Sequence, residues 1–384
     1  MRILYHHRTQ AEDGQAVHIR AMIGAFRGLG HEVREVALVP RTGPPAPAGR
    51  GRAGGLGLLA RAPRFARELA EYAYGQVARG RLVRAGLEFE PRFLYERYAF
   101  GNTGGVRAAR TLRLPLVLEV NSPLVLELER TRGLAFPALA RRVETQIFRS
   151  ATLVCAVTGV LRDMLVSAGV ARERVLVTQN GVELGAYAQG SAAAARAALG
   201  LAPGGLVLGF VGYYRDWHRL DLVLEALGAP ELAAARLVLV GEGPARAGLE
   251  RRAAELGVAA RVHFAAPRPH AEIPALLPAF DVALVPAINA YASPLKLFEY
   301  MAAARAVVAP DQPNLREVLE PERDALLVPP GEAAALRAAL VRLAGDAALR
   351  ARLGAAARAR LEALDLTWTG NARRVVAAVE GLAA

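Results

Sequence analysis

Short segments rich in Val, Ile and Leu recur along the 384-residue sequence, and stretches with helical periodicity separate them. Parallel strands need a long crossover connection to return to the same edge of a sheet, so this alternation is typical of a parallel sheet wrapped by helices. The first half of the sequence is therefore predicted to form one doubly wound α/β domain. Its strand segments are residues 2–5, 31–39, 114–120, 151–157 and 174–179.

The same pattern starts again after residue 185, which predicts a second domain of the same kind. A chain of 384 residues with 53% hydrophobic content is large enough for two cores. The carboxyl ends of the two sheets are expected to face an interdomain cleft, where open α/β folds bind ligands. The second set of strand segments is residues 206–212, 236–243, 261–264, 281–287, 306–310 and 325–330.

The boundaries of these domains follow from the sequence between the two sets of strands. Asn180-Gly181 is a turn signal followed by small and polar residues, so we place the hinge at 181–195. The sequence thus predicts Rossmann-like domains at 1–185 and 186–365. A C-terminal helix at 366–384 is expected to pack back towards the first domain.

The composition limits the classes of partner. Lys and Arg outnumber Asp and Glu by 48 to 36, and the net charge of +12 favours phosphorylated small molecules, anionic lipids or nucleic acid. Nucleic acid is not expected, because the sequence has neither aromatic stacking platforms nor a groove-reading helix. The single cysteine, Cys155, excludes an internal disulfide, and no apolar run is long enough for a signal peptide or a membrane span. We expect a cytoplasmic location and no metal cluster.

Residues 41–85 form the most basic part of the chain, with nine arginines against two glutamates. Such a segment could form a basic amphipathic helix on an anionic leaflet, which would place the protein at the inner face of the plasma membrane. A solvated helix beside a mobile loop is the alternative. The side chains that would form the amphipathic helix are Leu58, Leu59, Arg61, Arg64, Phe65, Arg67 and Leu69.

The run YASPLKLFEYMAAARAVVAPD at 291–311 is predicted to begin a helix at the carboxyl edge of the second sheet. Ser293 would cap the helix and Pro294 would occupy its first position. An anion suits a helix N-terminus, and Lys296 in the first turn would supply a full counter-charge. Glu299 lies on the same face and can accept hydrogen bonds from vicinal hydroxyls such as those of a ribose. The alternative is an intrahelical ion pair between Lys296 and Glu299.

This run resembles a known family. SPLKLFEYMAAARAVVAP, with VTQNGVE upstream, LVLVGEGP between and ALLVPPGE after it, is similar to the retaining glycosyltransferases of family 4, which have the two-domain GT-B architecture. The resemblance implies transfer of a sugar from a nucleoside diphosphate sugar (UDP- or GDP-sugar) without a metal or other cofactor. The SPLKLFEYMA form is similar to a variant branch that is common in polysaccharide assembly, which implies a saccharide or lipid-linked acceptor.

Other activities stay open at this point. A small natural-product acceptor is one alternative, and a non-catalytic nucleotide-sugar-binding protein is another. An isomerase or phosphorylase of the same architecture would need a different acid-base set or a bound cofactor.

The resemblance assigns roles to individual residues of the helix at 291–311. Glu299 matches the second glutamate of the family's Glu-x7-Glu motif, which holds the nucleotide ribose. The first glutamate falls at Tyr291, and the usual glycine of the phosphate-binding turn is Pro294. Lys296 would compensate electrostatically for the backbone N–H that Pro294 removes. The lost carboxylate usually contacts the donor sugar, so the identity of that sugar is left open. The donor contacts implied here are Ser293, Leu295, Lys296 and Glu299.

Two loops of the second domain complete the implied donor site. In FVGYYRDWHRLDLVLEAL (210–227), the family's diphosphate-binding arginine and lysine fall at Tyr213 and His218, with Arg215 and Arg219 close in sequence. We expect Gly212, Arg215 and His218 to contact the donor.

The second of these loops is VGEGPARAGLE (240–250). Its Gly241-x-Gly243 lacks the third glycine of a dinucleotide fingerprint, because Arg246 stands there. The resemblance implies a nucleoside-binding turn at Gly241 and Gly243, with Arg268 beside the base. A tight strand-to-helix turn is the alternative.

The first domain is expected to bind the acceptor. Gly14 falls in the loop that faces the donor phosphates and the acceptor in the family, and His6, His7 and Arg8 at the end of strand one are candidate acceptor contacts. Asn121 occupies the position where many relatives carry a histidine near the reacting sugar. Glu119 and Glu127 are weaker candidates. The expected catalytic set is Lys296, Glu299, Arg215 and Asn121.

Overall fold

The computed structural model describes residues 1–10, 13–40, 63–187, 190–202 and 204–382. The described chain divides into two compact units. Unit 1 contains Met1–Gln179 and the chain from Trp368 onward, and unit 2 contains Asn180–Thr367.

Unit 1 is built on a six-stranded sheet in which every neighbouring pair is parallel, in the order β2-β1-β3-β4-β5-β6. Strands β3, β4 and β5 are buried along their whole length, as expected for a sheet covered on both faces. The strands are β1 (Arg2–His7), β2 (Glu32–Ala37), β3 (Phe93–Arg97), β4 (Leu116–Val120), β5 (Leu153–Ala156) and β6 (Val175–Val177).

Two helices of unit 1 begin at a side-chain cap. Asp13 accepts a hydrogen bond from the Gln15 amide at the start of the first helix, and Thr158 does the same for Leu161 at the start of the sixth. The helices are α1 (Gly14–Gly28), α2 (Arg64–Phe89), α3 (Gly104–Leu112), α4 (Leu124–Thr131), α5 (Pro137–Ser150) and α6 (Gly159–Ser167).

Unit 2 contains a second six-stranded parallel sheet, in the order β12-β11-β10-β7-β8-β9. Counted from β7, this is the classical Rossmann order, whose direction of winding reverses between β7 and β10. The strands are β7 (Leu206–Val211), β8 (Ala235–Val240), β9 (Val262–Ala265), β10 (Val282–Leu284), β11 (Ala306–Pro310) and β12 (Leu326–Val328).

Helices and apolar side chains cover both faces of this second sheet, and they form two separate core clusters. The helices of unit 2 are α7 (Ala192–Ala198), α8 (Leu220–Ala226), α9 (Arg246–Glu255), α10 (Ile273–Leu276), α11 (Leu295–Ala302), α12 (Pro313–Arg316), α13 (Ala333–Gly345) and α14 (Ala347–Ala363).

The last helix, α15 (Trp368–Gly381), belongs to unit 1. The Trp368 ring meets His18 of α1 edge-on, with 4.7 Å between the ring centroids, and the Asn371 amide donates to the Gln179 carbonyl at 2.6 Å. The boundary near residue 180 lies earlier than the position 185 that the sequence suggested. Asn180 already hydrogen-bonds Ser293 within unit 2, and the Val182 amide donates to Leu366 at 3.2 Å.

The prediction of two doubly wound α/β domains is confirmed, but the sequence did not reveal β3. This strand contains Glu96 and Arg97, which interrupt the apolar pattern although both side chains are buried. None of the described helices combines the length and the apolar character that a bilayer crossing requires. Of the amphipathic segment, Leu58, Leu59 and Arg61 lie outside the described residues.

Candidate functional site

The carboxyl ends of β7 and β10 define the candidate site of unit 2. The two strands are neighbours in the sheet, but β8 lies beyond β7 and β11 lies beyond β10. The loops that follow them therefore leave in opposite directions and open a crevice at the sheet edge, which is the usual ligand site of an open α/β fold.

The loop after β7 packs against the loop after β8 through their backbones. The Gly212 amide donates to the Val240 carbonyl at 3.0 Å, and the Tyr214 amide donates to Glu242 at 2.6 Å. Gly241 has a φ of 137°, and a Cβ there would lie 2.2 Å from the Gly212 carbonyl oxygen. A Cβ on Gly243 would lie 2.3 Å from the Tyr214 oxygen. This packing accounts for both glycines and favours the tight-turn interpretation of the motif.

The loop after β10 leads into α11, whose start differs from the sequence prediction. The helix begins at Leu295 with Pro294 as its cap residue, so Ser293 lies outside it and is not the cap. The Ser293 hydroxyl instead accepts a hydrogen bond from the Asn180 amide at 3.1 Å, and its carbonyl accepts one from the Asn180 side chain at 2.5 Å. Asn180 thus fixes the turn, and the amides of Leu295 and Lys296 start a helix whose first turn lacks intrahelical acceptors.

Lys296 projects from this first turn onto an aromatic ring. Its Nζ lies 3.7 Å from the centroid of Phe210, at the end of β7, and 3.0 Å from the position that a Cβ of Gly212 would take. Among the described residues no carboxylate lies within salt-bridge distance of Nζ. Burial lowers the pKa of Lys296 to about 7, although the charge of Glu299 opposes that shift. The ring stabilises the ammonium only in part, so an anionic ligand would stabilise it further.

The sequence contained a signal for Lys296 that periodicity does not detect. It is the only lysine among the 48 basic residues of the chain, and all the others are arginine. Lysine presents a compact charge whose pKa shifts readily on burial, whereas the guanidinium stays charged and is wider. The chain uses its lysine at a position where the cation lies against the Phe210 ring at the end of β7.

His218 and Arg215 lie in the same loop as Gly212. Burial, together with the charges of Lys296 and Arg215, lowers the pKa of His218 to about 3, so its imidazole is neutral at physiological pH. The Arg215 amide donates to His218 Nδ1 at 3.3 Å, which leaves the proton on Nε2 as a donor. His218 can therefore donate one hydrogen bond to an anion, but it does not replace the charge of a lysine.

Glu299 is on α11, one turn after Lys296, and it does not pair with that lysine. Its Oε1 lies 2.6 Å from His270 Nε2, and only 9% of its side chain is exposed, against 44% for His270. The Tyr187 phenol lies near the same carboxylate, and burial with the charge of Glu299 raises the pKa of Tyr187. The intrahelical ion pair considered above is not formed. Sequence reasoning overlooked His270, although it ends the loop in which Arg268 was chosen.

Three other predicted or alternative positions are occupied by local contacts. Arg268 lies 3.8 Å from Glu272 at the surface, and Arg219 makes a bidentate contact with Asp221. The Tyr291 hydroxyl, at the position of the family's first glutamate, accepts a hydrogen bond from the Asn289 side chain at 3.2 Å. Arg268 and Arg219 thus pair with neighbouring carboxylates, and Tyr291 does not supply the carboxylate of the family's first glutamate.

In unit 1 the two histidines of β1 are buried and paired with carboxylates. His6 Nδ1 lies 2.6 Å from Glu96 Oε1, which also accepts from the Asn102 amide at 2.9 Å. His7 Nε2 lies 2.7 Å from Glu35. The exposed fraction of His6 is 1% and that of His7 is 0%. Both rings therefore contact carboxylates inside the protein, and neither lies on the surface as a strand-end histidine often does. Their role as acceptor contacts stays a prediction.

Asn121 belongs to a second buried network, centred on Glu119. This carboxylate accepts from Asn121 Nδ2 at 2.5 Å and from Arg97 at 2.5 Å, and it lies 2.9 Å from His18 Nε2. Burial alone would raise the pKa of Glu119, but His18 and Arg97 lower it well below its usual range. The network fixes the Asn121 amide at the carboxyl end of β4.

The remaining first-domain candidates lie at the carboxyl end of β1. Gly14 is the first residue of α1, directly after the cap Asp13. Arg8 is half-buried, with its guanidinium over the Tyr74 ring at 5.0 Å and a weak hydrogen bond to the Phe100 carbonyl at 3.4 Å. Glu127 accepts from Ser122 at 3.1 Å. Within the ranges that the structure describes, no cluster of His, Cys, Asp or Glu is suited to hold a metal ion.

These features define a two-domain, Rossmann-like α/β protein whose second domain has a basic side chain, Lys296, at its switch point. Two family models match the chain: Glycosyltransferase Family 4 over residues 13–185 and Glycosyl transferases group 1 over residues 205–346. Together the two models span most of the sequence, and the chain belongs to glycosyltransferase family 4.

The curated relatives are longer than this chain. The D-inositol 3-phosphate glycosyltransferase of Nocardia farcinica is 34% identical over 242 residues, which cover 60% of this chain and 52% of the relative. The corresponding protein of Saccharomonospora viridis is 32% identical over 257 residues, or 62% of this chain and 59% of the relative. The chain thus spans about half the length of the curated relatives it matches.

Solved structures share the fold at low sequence identity. Sucrose-phosphate synthase from Thermosynechococcus elongatus superimposes with a TM-score of 0.77 and 21% identity, covering 99% of this chain and 98% of that one. Anabaena HepE in complex with UDP superimposes with a TM-score of 0.73 and 19% identity, over 99% and 100% of the two chains. These similarities confirm the GT-B fold.

Proposed function

We propose that the chain transfers a sugar from a nucleoside diphosphate sugar to a saccharide or lipid-linked acceptor, with retention at the anomeric carbon and without a metal ion. The observation that carries this proposal is Lys296, an ammonium that has no carboxylate partner among the described residues and stands in the first turn of α11 at the switch point. A diphosphate supplies the charge that this position lacks. HepE, which has the same fold, was solved with UDP and with UDP-glucose, and this supports UDP ahead of GDP as the donor nucleotide.

The proposed reaction breaks the bond between the anomeric carbon and the β-phosphate oxygen, and both electrons of that bond go to the phosphate. The Lys296 ammonium and the first amides of α11 stabilise the charge that develops there. The acceptor hydroxyl attacks from the same face, forms the new glycosidic bond and gives its proton to the departing phosphate. The products are the glycosylated acceptor and the nucleoside diphosphate, and no enzymic base is required.

The other residues of the crevice would bind the rest of the donor. His218 donates from Nε2 to a phosphate oxygen, and Arg215 adds a second positive charge in the same loop. The Glu299 carboxylate accepts from the ribose hydroxyls once His270 has moved away from it.

The outer face of α2 supports an acceptor that lies at a lipid surface. Phe65, Leu69 and Val77 are each about half exposed there, at 52%, 51% and 52%. Two of the glutamates of this helix are engaged inside unit 1, since Glu68 accepts from the Phe136 amide and Glu71 pairs with Arg132. Apolar side chains on a helix that also carries arginines suit an anionic leaflet. We propose peripheral attachment at the inner face of the membrane, in the service of cell-surface polysaccharide assembly.

Co-sedimentation tests this attachment. The full chain should pellet with vesicles of mixed phosphatidylglycerol and phosphatidylcholine, but not with phosphatidylcholine alone. Phe65→Ser with Leu69→Ser should abolish pelleting, whereas the control Leu364→Ser, an exposed leucine of unit 2, should not. Equal recovery with and without anionic lipid would remove the membrane from the proposal.

A second candidate acceptor is favoured by the curated relatives, whose name specifies D-inositol 3-phosphate. A small phosphorylated polyol would need no membrane, and neither would a natural-product aglycone. A non-catalytic nucleotide-sugar-binding protein would bind the donor without turnover.

One assay separates these possibilities. Release of UDP or GDP is measured with a panel of nucleoside diphosphate sugars. The acceptor is first a lipid-linked saccharide in vesicles and then inositol phosphate in solution. Each measurement is made with and without EDTA. Nucleotide release that requires an acceptor and resists EDTA supports the transferase. The anomeric configuration of the product, measured by NMR, tests retention. Tight nucleotide binding with no release under any condition would leave the binding protein.

A further inference from the structure

The loop after β7 carries two half-exposed aromatic rings that enclose an arginine. Tyr213 is 50% exposed and Trp217 is 46% exposed. The Arg215 guanidinium lies over both rings, 4.7 Å from the Tyr213 centroid and 5.1 Å from the Trp217 centroid. We call these three side chains the aromatic clamp.

The backbone holds the clamp in a fixed conformation. Tyr214, between the exposed residues, is fully buried, and its amide and carbonyl bond to Glu242 and Ala245 at 2.6 and 3.3 Å. A short 3-10 turn at Asp216–His218 follows, and the His218 ring contacts that of Trp217 with 5.9 Å between centroids. Side chains at 213, 215 and 217 therefore face solvent from a rigid support, which lowers the entropic cost of binding a ligand.

The clamp lies beside the proposed diphosphate site. His218 is in contact with both Trp217 and Phe210, and the Phe210 ring carries the Lys296 ammonium. Aromatic side chains commonly line ligand sites and contact the ligand. The ring of a sugar has one face of C–H groups that packs on aromatic carbon, and hydroxyls at its edge that accept hydrogen bonds from a guanidinium.

From this geometry we infer that Tyr213, Arg215 and Trp217 form a subsite for a sugar ring of the reaction's substrates. The ring packs on the aromatic side chains, and its hydroxyls accept from Arg215. The inference rests on the proposed function, because it takes the diphosphate site as its neighbour. The sugar could come from the donor or from the acceptor, and the experiment distinguishes the two.

Tryptophan emission provides the readout, since the chain contains two tryptophans and Trp368 is buried in unit 1 with 5% exposure. In Trp368→Phe the emission comes from Trp217 alone. If that variant does not fold, the difference between the unsubstituted protein and Trp217→Phe gives the same signal. The probes are UDP, UDP-glucose, and methyl α-glucopyranoside and methyl α-mannopyranoside with UDP present.

Each outcome bears on the inference. A change with UDP-glucose that UDP does not cause places the donor sugar on the clamp. A change with a free glycoside in the presence of UDP places the acceptor there. No change with any sugar overturns the subsite, and so does a full change with UDP alone, because the occupant would then be the nucleotide.

Substitutions separate a sugar subsite from a mere support for Arg215. Trp217→Leu keeps apolar bulk without a ring face and should weaken sugar binding by about tenfold, whereas Trp217→Phe should largely retain it. UDP affinity, measured by calorimetry, should be unchanged in both variants and in the control Leu364→Ala. An equal loss of UDP and sugar affinity in Trp217→Leu would show that the rings only position Arg215. If UDP does not bind the unsubstituted protein at all, the proposed function fails; if UDP binds and no sugar is sensed, only the subsite fails.

Discussion

The ammonium of Lys296 lies 3.7 Å from the centroid of the Phe210 ring, so the first turn of α11 meets the end of β7 through a single cation-π contact. Tyr300 reinforces this junction from the same helix, because its hydroxyl accepts a hydrogen bond from the Val211 amide at 2.9 Å. The lysine is thus held in place before any ligand arrives. Preorganised charge of this kind is effective in catalysis because it needs no rearrangement during the reaction.

Lys296→Met should reduce turnover more than it reduces donor binding. The lysine contacts charge that is largest in the transition state, so kcat should fall roughly 100-fold or more, with a smaller loss of affinity for the intact donor. Lys296→Arg should not restore the rate, because a guanidinium is wider and cannot occupy the same place over the ring. Steady-state kinetics with UDP-glucose and calorimetry with UDP measure the two effects. Equal losses in kcat and in donor affinity would contradict a role on the leaving group.

The titration of Lys296 can be observed directly, because reductive methylation with ¹³C-formaldehyde labels one lysine and the N-terminal amine. Without nucleotide the lysine signal should titrate near the lowered pKa of about 7. A bound diphosphate favours the ammonium, so UDP should shift the midpoint upward. By linkage, UDP affinity is greatest below about pH 7 and weakens as the pH rises above it. A midpoint at the ordinary lysine value, unmoved by UDP, would show that Nζ is solvated and does not bind the diphosphate.

The same lysine should make the protein less stable when no ligand is bound. Its pKa is lowered from 10.5 in the unfolded chain to about 7 in the fold, so keeping the ammonium partly buried costs stability in full below pH 7. That cost declines as the pH rises through this window. Lys296→Met should therefore raise Tm clearly at about pH 6 and very little at about pH 10. Thermal unfolding across this range checks the sign, and a Tm gain that grew with pH would refute it.

Glu299→Ala should weaken UDP binding by about 10- to 100-fold, through the loss of charged hydrogen bonds to the ribose. Glu272→Ala is the matched control, since that carboxylate is half-exposed and faces Arg268. His270→Ala should have the opposite effect and strengthen UDP binding slightly, because it removes the side chain that occupies Glu299 in the free protein. Calorimetry with UDP and with UMP measures all three. Unchanged affinity in Glu299→Ala would place the ribose elsewhere.

Gly241→Ala should destabilise unit 2 by ~2 kcal/mol or more, because the residue has a positive φ and its new Cβ would meet the backbone of the loop after β7. Gly248→Ala is the control on the following helix, where the nearest atom is an arginine side chain at 4.0 Å. That change should stabilise the helix by about 0.5–1 kcal/mol. Chemical denaturation gives both values, and tolerance of Gly241→Ala would mean that the two loops can separate.

The sequence predicted what depends on pattern and failed where burial depends on pairing. Alternating apolar and helical segments located both sheets, and the Lys296 and Glu299 positions followed from helix geometry at a sheet edge. Strand β3 was not predicted because charged residues such as Glu96 and Arg97 are typical of a protein surface. In the fold both are buried, since Glu96 contacts His6 and Arg97 donates to Glu119. The predicted cap at Ser293 was wrong for a similar reason, since its hydroxyl accepts a hydrogen bond from the amide of Asn180, 113 positions away.

The position of α15 affects how the chain folds during synthesis. The helix Trp368–Gly381 packs on α1 in unit 1, although the whole of unit 2 precedes it along the chain. A ribosome therefore delivers every residue of unit 2 before it delivers the segment that covers His18. Unit 1 is therefore begun first and completed last. Until α15 is synthesised, the apolar surface of α1 that it covers stays exposed, and it can bind chaperones or aggregate.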